Sequence, residues 1–195
     1  MFKKIFTYIL VVSIALMLMP SPAEAKDYDK FLDGVERQVF DYFLHETDKN
    51  TGLTLNTTEP GAPATNAASG FTLSAMVIGA ERGWISKDEA YKMCLKTLRA
   101  FKKMENFEGF TYHYFDVNTG KRMWASEVSC IDTALFLAGV ITAGEYFKGT
   151  KVSDLADELF KKVDWQWFLN DERTLQMSWK PEKGFSGASI RSPRG

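Results

Sequence analysis

Two carboxylates and a cluster of aromatic side chains carry most of the chemistry this sequence can offer. Glu127 and Asp132 stand five positions apart in Ser126-Glu127-Val128-Ser129-Cys130-Ile131-Asp132. On one continuous helix they would point about 140° apart. They converge only if Glu127 sits in the loop before a helix that Ser129 or Cys130 opens. Asp132 then has two readings that stay open. It can line a site, or it can serve the third helical position after a Ser129 cap, where a carboxylate suits free N–H groups and the helix dipole. Glu127 lies outside any capping position and is the stronger site candidate. His113, Tyr114 and Trp124 flank this pair in sequence. They offer a ring nitrogen and flat apolar faces. The competing reading is an alternating strand that buries Phe110, Tyr112 and Tyr114 together and turns His113 outward.

Other candidates carry less. Asp48 with Asn50 and Asp116 with Asn118 faintly resemble a calcium loop, but each lacks the distal bidentate Glu, so a simple turn is expected and no metal or cofactor is called for. Cys94 and Cys130 sit in apolar helical patterns. Two cysteines make no disulfide framework; buried thiols are the first reading and a pair the second.

The elements that must position these residues follow from periodicity. A helix is expected over 30–45, with Phe31, Val35, Val39 and Tyr42 at helical spacing. Residues 53–65 read as a loop. A second helix over 66–81 is apolar nearly all round and therefore buried, with Gly83 as its stop. A third runs over 86–104, opened by the capping box Ser86-Lys87-Asp88-Glu89. It turns Ala90, Cys94, Leu98 and Phe101 inward and Lys92, Lys96, Arg99 and Lys103 outward. Residues 107–125 change period and suggest a short β-hairpin near 110–124. A buried helix over 130–147 and an amphipathic one over 153–162 complete the set, and Trp165, Trp167 and Trp179 follow without period.

Each buried helix is followed by an amphipathic one, and Asp-x-Asn-Thr-Gly occurs at 48–52 and again at 116–120. This weak internal repeat of inner and outer helices predicts an all-α fold, part of an (α/α) toroid.

Composition narrows the function classes. The net charge of −1 gives no basic surface for nucleic acid. Aromatic residues make up 14% of the chain, which suits a thick core, an aromatic-lined groove, or both. Lys3 and Lys4, an apolar run from Ile5 to Met19 and the small residues around Ala23-Glu24-Ala25 have the layout of a signal peptide over 1–25. The apolar run is short for a span of about 20 residues. Export to the periplasm or the cell exterior is expected, with no membrane association after cleavage.

Three stretches resemble a known family: Gly70-Phe71-Thr72-Leu73-Ser74-Ala75 through Gly83-Trp84-Ile85; Gly109-Phe110-Thr111-Tyr112-His113-Tyr114-Phe115-Asp116; and Ser126-Glu127-Val128-Ser129-Cys130-Ile131-Asp132-Thr133 through Gly139. Together they resemble the N-terminal part of the glycoamylase-like glycoside hydrolases, which include endo-β-1,2-glucanases. The resemblance implies an (α/α)6 barrel and an inverting hydrolase of β-linked glucan, with β-1,2-glucan favoured. Glu127, Asp132, His113, Tyr114 and Trp124 would bind the sugar, by hydrogen bonds and by stacking on its faces, and the acid and base stay unassigned. It would cover residues 26–185. A closed barrel needs more helices than the five counted here. Residues 186–195 show no apolar period, so a cut-short end is expected, and with it the alternative of an inactive fragment that binds glucan or a partner.

Overall fold

The computed structural model describes residues 22–170 and 174–190. The expected signal peptide lies outside the described residues up to position 21, and positions 22–25 open the first helix. That helix, α1, spans Pro22–His45. The chain divides after Val39 into two compact units, each described by itself. The first unit contributes the part of α1 up to Val39; everything below belongs to the second.

Two central helices form the second unit's framework. α2 spans Asn66–Glu81 and α4 spans Cys130–Tyr146. Each is followed by an amphipathic helix, α3 at Lys87–Lys103 and α5 at Lys151–Lys162. α2 packs on α4, α3 on α2, α5 on α4, and α3 on α5. The α2–α4 contact is made backbone to backbone at Gly70 and Gly139. An added methyl at Gly139 would run into the carbonyl oxygen of Gly70, and one at Gly70 would meet Leu135 O at 2.7 Å. Glycine is required there by space.

The expected caps are present. Ser86 Oγ accepts from Glu89 N–H at 3.2 Å while Glu89 accepts from Ser86 N–H at 2.8 Å. Asp88 and Glu89 sit in the first turn of α3 and Lys102 and Lys103 in its last, which suits the helix dipole. Ala90, Cys94, Leu98 and Phe101 are buried along α3 as their spacing predicts. Phe101 stacks on Phe136 of α4 with ring centroids 3.8 Å apart. Gly83 adopts φ +69° just past the end of α2, the left-handed stop that glycine permits. Cys94 and Cys130 are free and buried; burial pushes the Cys94 thiol up to about 12.

The all-α expectation needs correction: the chain is helix-rich with two small antiparallel sheets. β1 (Ala64–Thr65) pairs with β2 (Tyr114–Phe115), and β3 (Val128–Ser129) pairs with β4 (Leu175–Lys180), which pairs with β5 (Gly184–Ile190). Periodicity misses two-residue strands, because nothing alternates over so short a run. β4 and β5 are long enough to have been read, yet their serines, glycines and lysines hide the alternation. Residues 186–190, expected to lack pattern, are five of the seven residues of β5. Their companion is a short 3-10 turn, Trp165–Phe168, whose Trp167 and Phe168 meet Trp179 and Phe185 at 5.1 and 5.4 Å.

The hairpin near 110–124 is present as a tight reversal, with Met123 N–H donating to Tyr114 O at 3.0 Å and Asp116 N–H to Lys121 O at 2.8 Å. Its burial does not alternate. Phe110, Tyr112 and Phe115 are buried, while His113 and Tyr114 are both half-buried. Phe115 pairs with Ala64 and faces Phe101, which turns Tyr114 away from the core.

The two Asp-x-Asn-Thr-Gly segments are matching turns. Asp48 Oδ1 accepts from the N–H groups of Asn50 and Thr51 at 2.9 and 2.7 Å. Asp116 Oδ1 accepts from those of Asn118 and Thr119 at 3.1 and 2.8 Å. Among the described residues no group of three His, Cys, Asp or Glu side chains is placed to hold a metal ion, and no helix is long and apolar enough to cross a membrane.

Candidate functional site

The N-terminus of α4 gathers the chemistry. Ser129 caps it, with Asp132 N–H donating to Ser129 Oγ at 3.2 Å. Asp132 therefore does occupy the third helical position. Its two oxygens divide the readings left open above: Oδ2 is hydrogen-bonded to the Ser129 hydroxyl, and Oδ1 lies 3.7 Å from His113 Nε2.

Glu127 lies just before β3, outside the helix, which is the condition for convergence with Asp132. It is held twice to the His113 segment. His113 N–H donates to the Glu127 carbonyl at 2.8 Å, and the His113 Nδ1–Glu127 Oε1 distance is 2.9 Å. A bridge between Tyr112 and Val128 continues this pairing. One imidazole therefore stands between two carboxylates, one at each ring nitrogen. A neutral ring with its proton on Nδ1 donates to Glu127 and turns the Nε2 lone pair toward Asp132; a protonated ring offers a proton to each.

The three side chains are 22%, 29% and 19% exposed for His113, Glu127 and Asp132, so the cluster opens to solvent and can meet a ligand. Burial pushes the Glu127 carboxyl up. The hydrogen bond from His113, the chain's own N–H and the charges of His113 and Lys180 outweigh this and leave it below the ordinary glutamate range.

The aromatic candidates join the same cluster. The Tyr114 ring stacks on His113 with centroids 3.8 Å apart and planes 19° apart. Trp124 meets Tyr114 at 5.5 Å in an edge-on contact. Trp124 is 67% exposed and has φ +52°. A bulky residue in the left-handed region is uncommon, and such conformations gather at functional sites. All five residues singled out from the sequence thus come together.

Sequence reasoning missed the braces behind them. Arg122 Nε donates to Ser126 O at 2.8 Å, its guanidinium lies 4.6 Å above the Tyr112 ring, and it pairs with Glu182. Lys180 Nζ donates to Ala125 O at 2.5 Å, and Ser126 Oγ donates to Tyr114 O at 3.0 Å. These contacts fix the loop carrying Trp124 and Glu127 against the β4–β5 hairpin. No spacing in the sequence signals a pair 60 positions apart. Asn66, buried at the start of α2, donates to Thr111 Oγ1 at 3.2 Å and was also passed over.

No family model matches the chain. It is 29% identical to an exo β-1,2-glucooligosaccharide sophorohydrolase acting at the non-reducing end from Parabacteroides distasonis, over 80% of this chain and 24% of that protein. The crystal structure of a β-1,2-glucanase from the same organism superposes with a TM-score of 0.74 at 27% identity, again covering 80% of this chain and 24% of the other. An endo-β-1,2-glucanase from Chitinophaga pinensis, solved with sophorotriose and glucose, shares the fold with a TM-score of 0.73 at 24% identity, covering 80% and 41%. The chain spans about a quarter of the length of the curated relative it matches. Over that span it resembles the N-terminal part of glycoamylase-like glycoside hydrolases.

Proposed function

We propose that this chain is part of an exported glycoside hydrolase that acts on β-linked glucan, β-1,2-glucan above others, and that α2, α4 and the outer α3, α5 are a portion of an (α/α)6 toroid. The observation that carries the proposal is the His113 ring set between Glu127 and Asp132 beside the half-buried Tyr114 ring and the exposed Trp124 ring. Carboxylates and an imidazole hydrogen-bond sugar hydroxyls, and flat rings cover the apolar faces of a pyranose. The names of the similar proteins supply the linkage.

An inverting hydrolase protonates the leaving oxygen with one carboxylic acid and activates water on the opposite face with another carboxylate. Glu127, kept ionised by His113, is suited to hold substrate or to take a proton and not to give one. The acid and base are left unassigned. Export rests on the leader-like residues 1–25, and sequencing of the secreted protein's N-terminus tests it: a start at Lys26 is expected, and a retained Met1 would contradict it.

Reducing-sugar release from β-1,2-, β-1,3- and β-1,4-glucans, with Glu127→Gln alongside, tests the activity. Release from the β-1,2 polymer that Glu127→Gln lowers supports the reading. No release and no binding of any of the three would sink it. Binding without release favours a second reading, in which the chain holds glucan or a partner without cleaving it. The exposed apolar side chains Phe71 and Ile78 on α2 and Ile131, Leu135 and Ile141 on α4 speak for that alternative.

A further inference from the structure

A groove of about 610 Å³ opens between α3 and the two Asp-x-Asn-Thr-Gly turns, away from the residues of the α4 cluster. Its volume is that of a small-molecule site. One wall is cationic. Lys92, Lys96, Arg99 and Lys103 recur along α3 at steps of four, three and four, share one face, and all line the groove. Lys92 Nζ lies 2.6 Å from Asp88, and the Lys96 ammonium donates to the Lys49 carbonyl. Arg99 and Lys103 have no acidic partner among the described residues. No carboxylate lines the groove; Asp48 and Asp116 each accept through Oδ1 within their own turns, and the Asp48 charge acts on Lys96.

The opposite side is built from the repeated turns, which present Asn50 with Thr51 and Asn118 with Thr119. These turns are braced. Thr97 Oγ1 of α3 donates to Gly52 O at 2.8 Å, and Thr51 Oγ1 donates to Val117 O at 2.8 Å, joining one turn to the other. Gly120, at φ +68°, leaves no room for a side chain, since an added Cβ would stand 2.9 Å from Met104. A merely solvated lysine face requires no such second wall. Leu53, Leu95 and Ala100 add apolar surface between the walls.

We propose that this groove binds an oligosaccharide carrying acidic groups, with Arg99, Lys103 and Lys96 holding its sulfate, phosphate or carboxylate groups and Asn50 and Asn118 its hydroxyls. Guanidinium and ammonium groups favour such oxyanions, and the paired amides match a ligand with hydroxyls at both ends. The carbohydrate part of this inference rests on the proposed function; the anionic part does not.

Calorimetric titration tests it with four probes: a sulfated heparin-type tetrasaccharide, inorganic phosphate, a neutral β-1,2-glucotetraose and tetraglutamate. Tighter binding of the sulfated sugar than of phosphate or tetraglutamate, weakening with added salt, is expected. Arg99→Gln/Lys103→Gln should weaken it at least tenfold with helix content unchanged by circular dichroism, and Asn50→Ala/Asn118→Ala about threefold, on the order of one lost hydrogen bond. Equal affinity in the Arg99→Gln/Lys103→Gln variant overturns the site. Phosphate bound as tightly reduces it to an ion site, and tetraglutamate bound as tightly makes it an acidic-peptide surface; either result overturns the proposal. Binding of the neutral glucotetraose and sugar release from neutral glucan report on the α4 cluster and stay unchanged in this variant, so failure of the groove and failure of the glucan reading are told apart.

Discussion

α2 and α4 each begin after a two-residue strand whose last residue caps the helix with a hydroxyl, Thr65 in one and Ser129 in the other. Each is preceded by an Asp-x-Asn-Thr-Gly turn, and each continues as a helix apolar on every side. The two beginnings are nevertheless finished differently. Around the start of α2 the polar groups are neutral and buried: Thr47, Thr54, Ser69 and Thr72 are sealed from water and bond one another, with Thr54 and Thr72 hydroxyls 2.6 Å apart. Around the start of α4 the corresponding space holds His113, Glu127 and Asp132, all reachable from solvent. A closed hydroxyl network can only hold the fold, since every donor is spent inside. An open ion cluster leaves donors and acceptors for a ligand. On a scaffold that both halves share, the start of α4 and not that of α2 leaves polar groups within reach of a ligand.

The largest effect should come from breaking what the halves share. Gly139→Ala forces a methyl against the Gly70 carbonyl and should destabilise the protein by about 3 kcal/mol, read in urea unfolding. Breaking only the closed end comes next. Thr72→Val leaves Thr54 and Thr47 short of a partner and should cost about 1–2 kcal/mol of stability with no change in glucan binding. Breaking only the open end should do the reverse. Trp124→Ala should weaken β-1,2-gluco-oligosaccharide binding about tenfold, ~1.4 kcal/mol, while the urea midpoint stays within error.

The smallest effect is the pH dependence of the open end. The folded state holds Glu127 below its ordinary range. Its ionised form therefore contributes stability above the unfolded value, and that contribution is lost as pH falls through the lower folded value. Between about pH 5 and about pH 3 the wild type should lose more stability than Glu127→Gln. Equal losses would show that the His113–Glu127 contact is not formed in solution.

Much of the scaffold was legible in the sequence because helices declare themselves over many residues. The α3 capping box, its inward stripe and the all-round apolar character of α2 and α4 depend on neighbours three and four positions away. The candidate site was legible as a set of residues, because its members fall within 113–132. Its geometry was not. Whether Asp132 caps or lines a site could not be decided from spacing; in the structure one oxygen meets the Ser129 cap and the other stands 3.7 Å from His113 Nε2. The braces from Arg122 to Glu182 and from Lys180 to Ala125 arise from pairing across more than 50 positions. The β4–β5 hairpin escaped notice because its polar and glycine-rich strands carry little alternation.

The proposed function needs the α4 end, and not the α2 end, to meet the sugar. Titrating β-1,2-gluco-oligosaccharide against wild type, Trp124→Ala/Glu127→Gln and Thr72→Val, with binding read by calorimetry, tests it most directly. Binding by the wild type and by Thr72→Val is expected, with loss of binding in Trp124→Ala/Glu127→Gln. Undiminished binding in Trp124→Ala/Glu127→Gln, or no binding by the wild type, would contradict it.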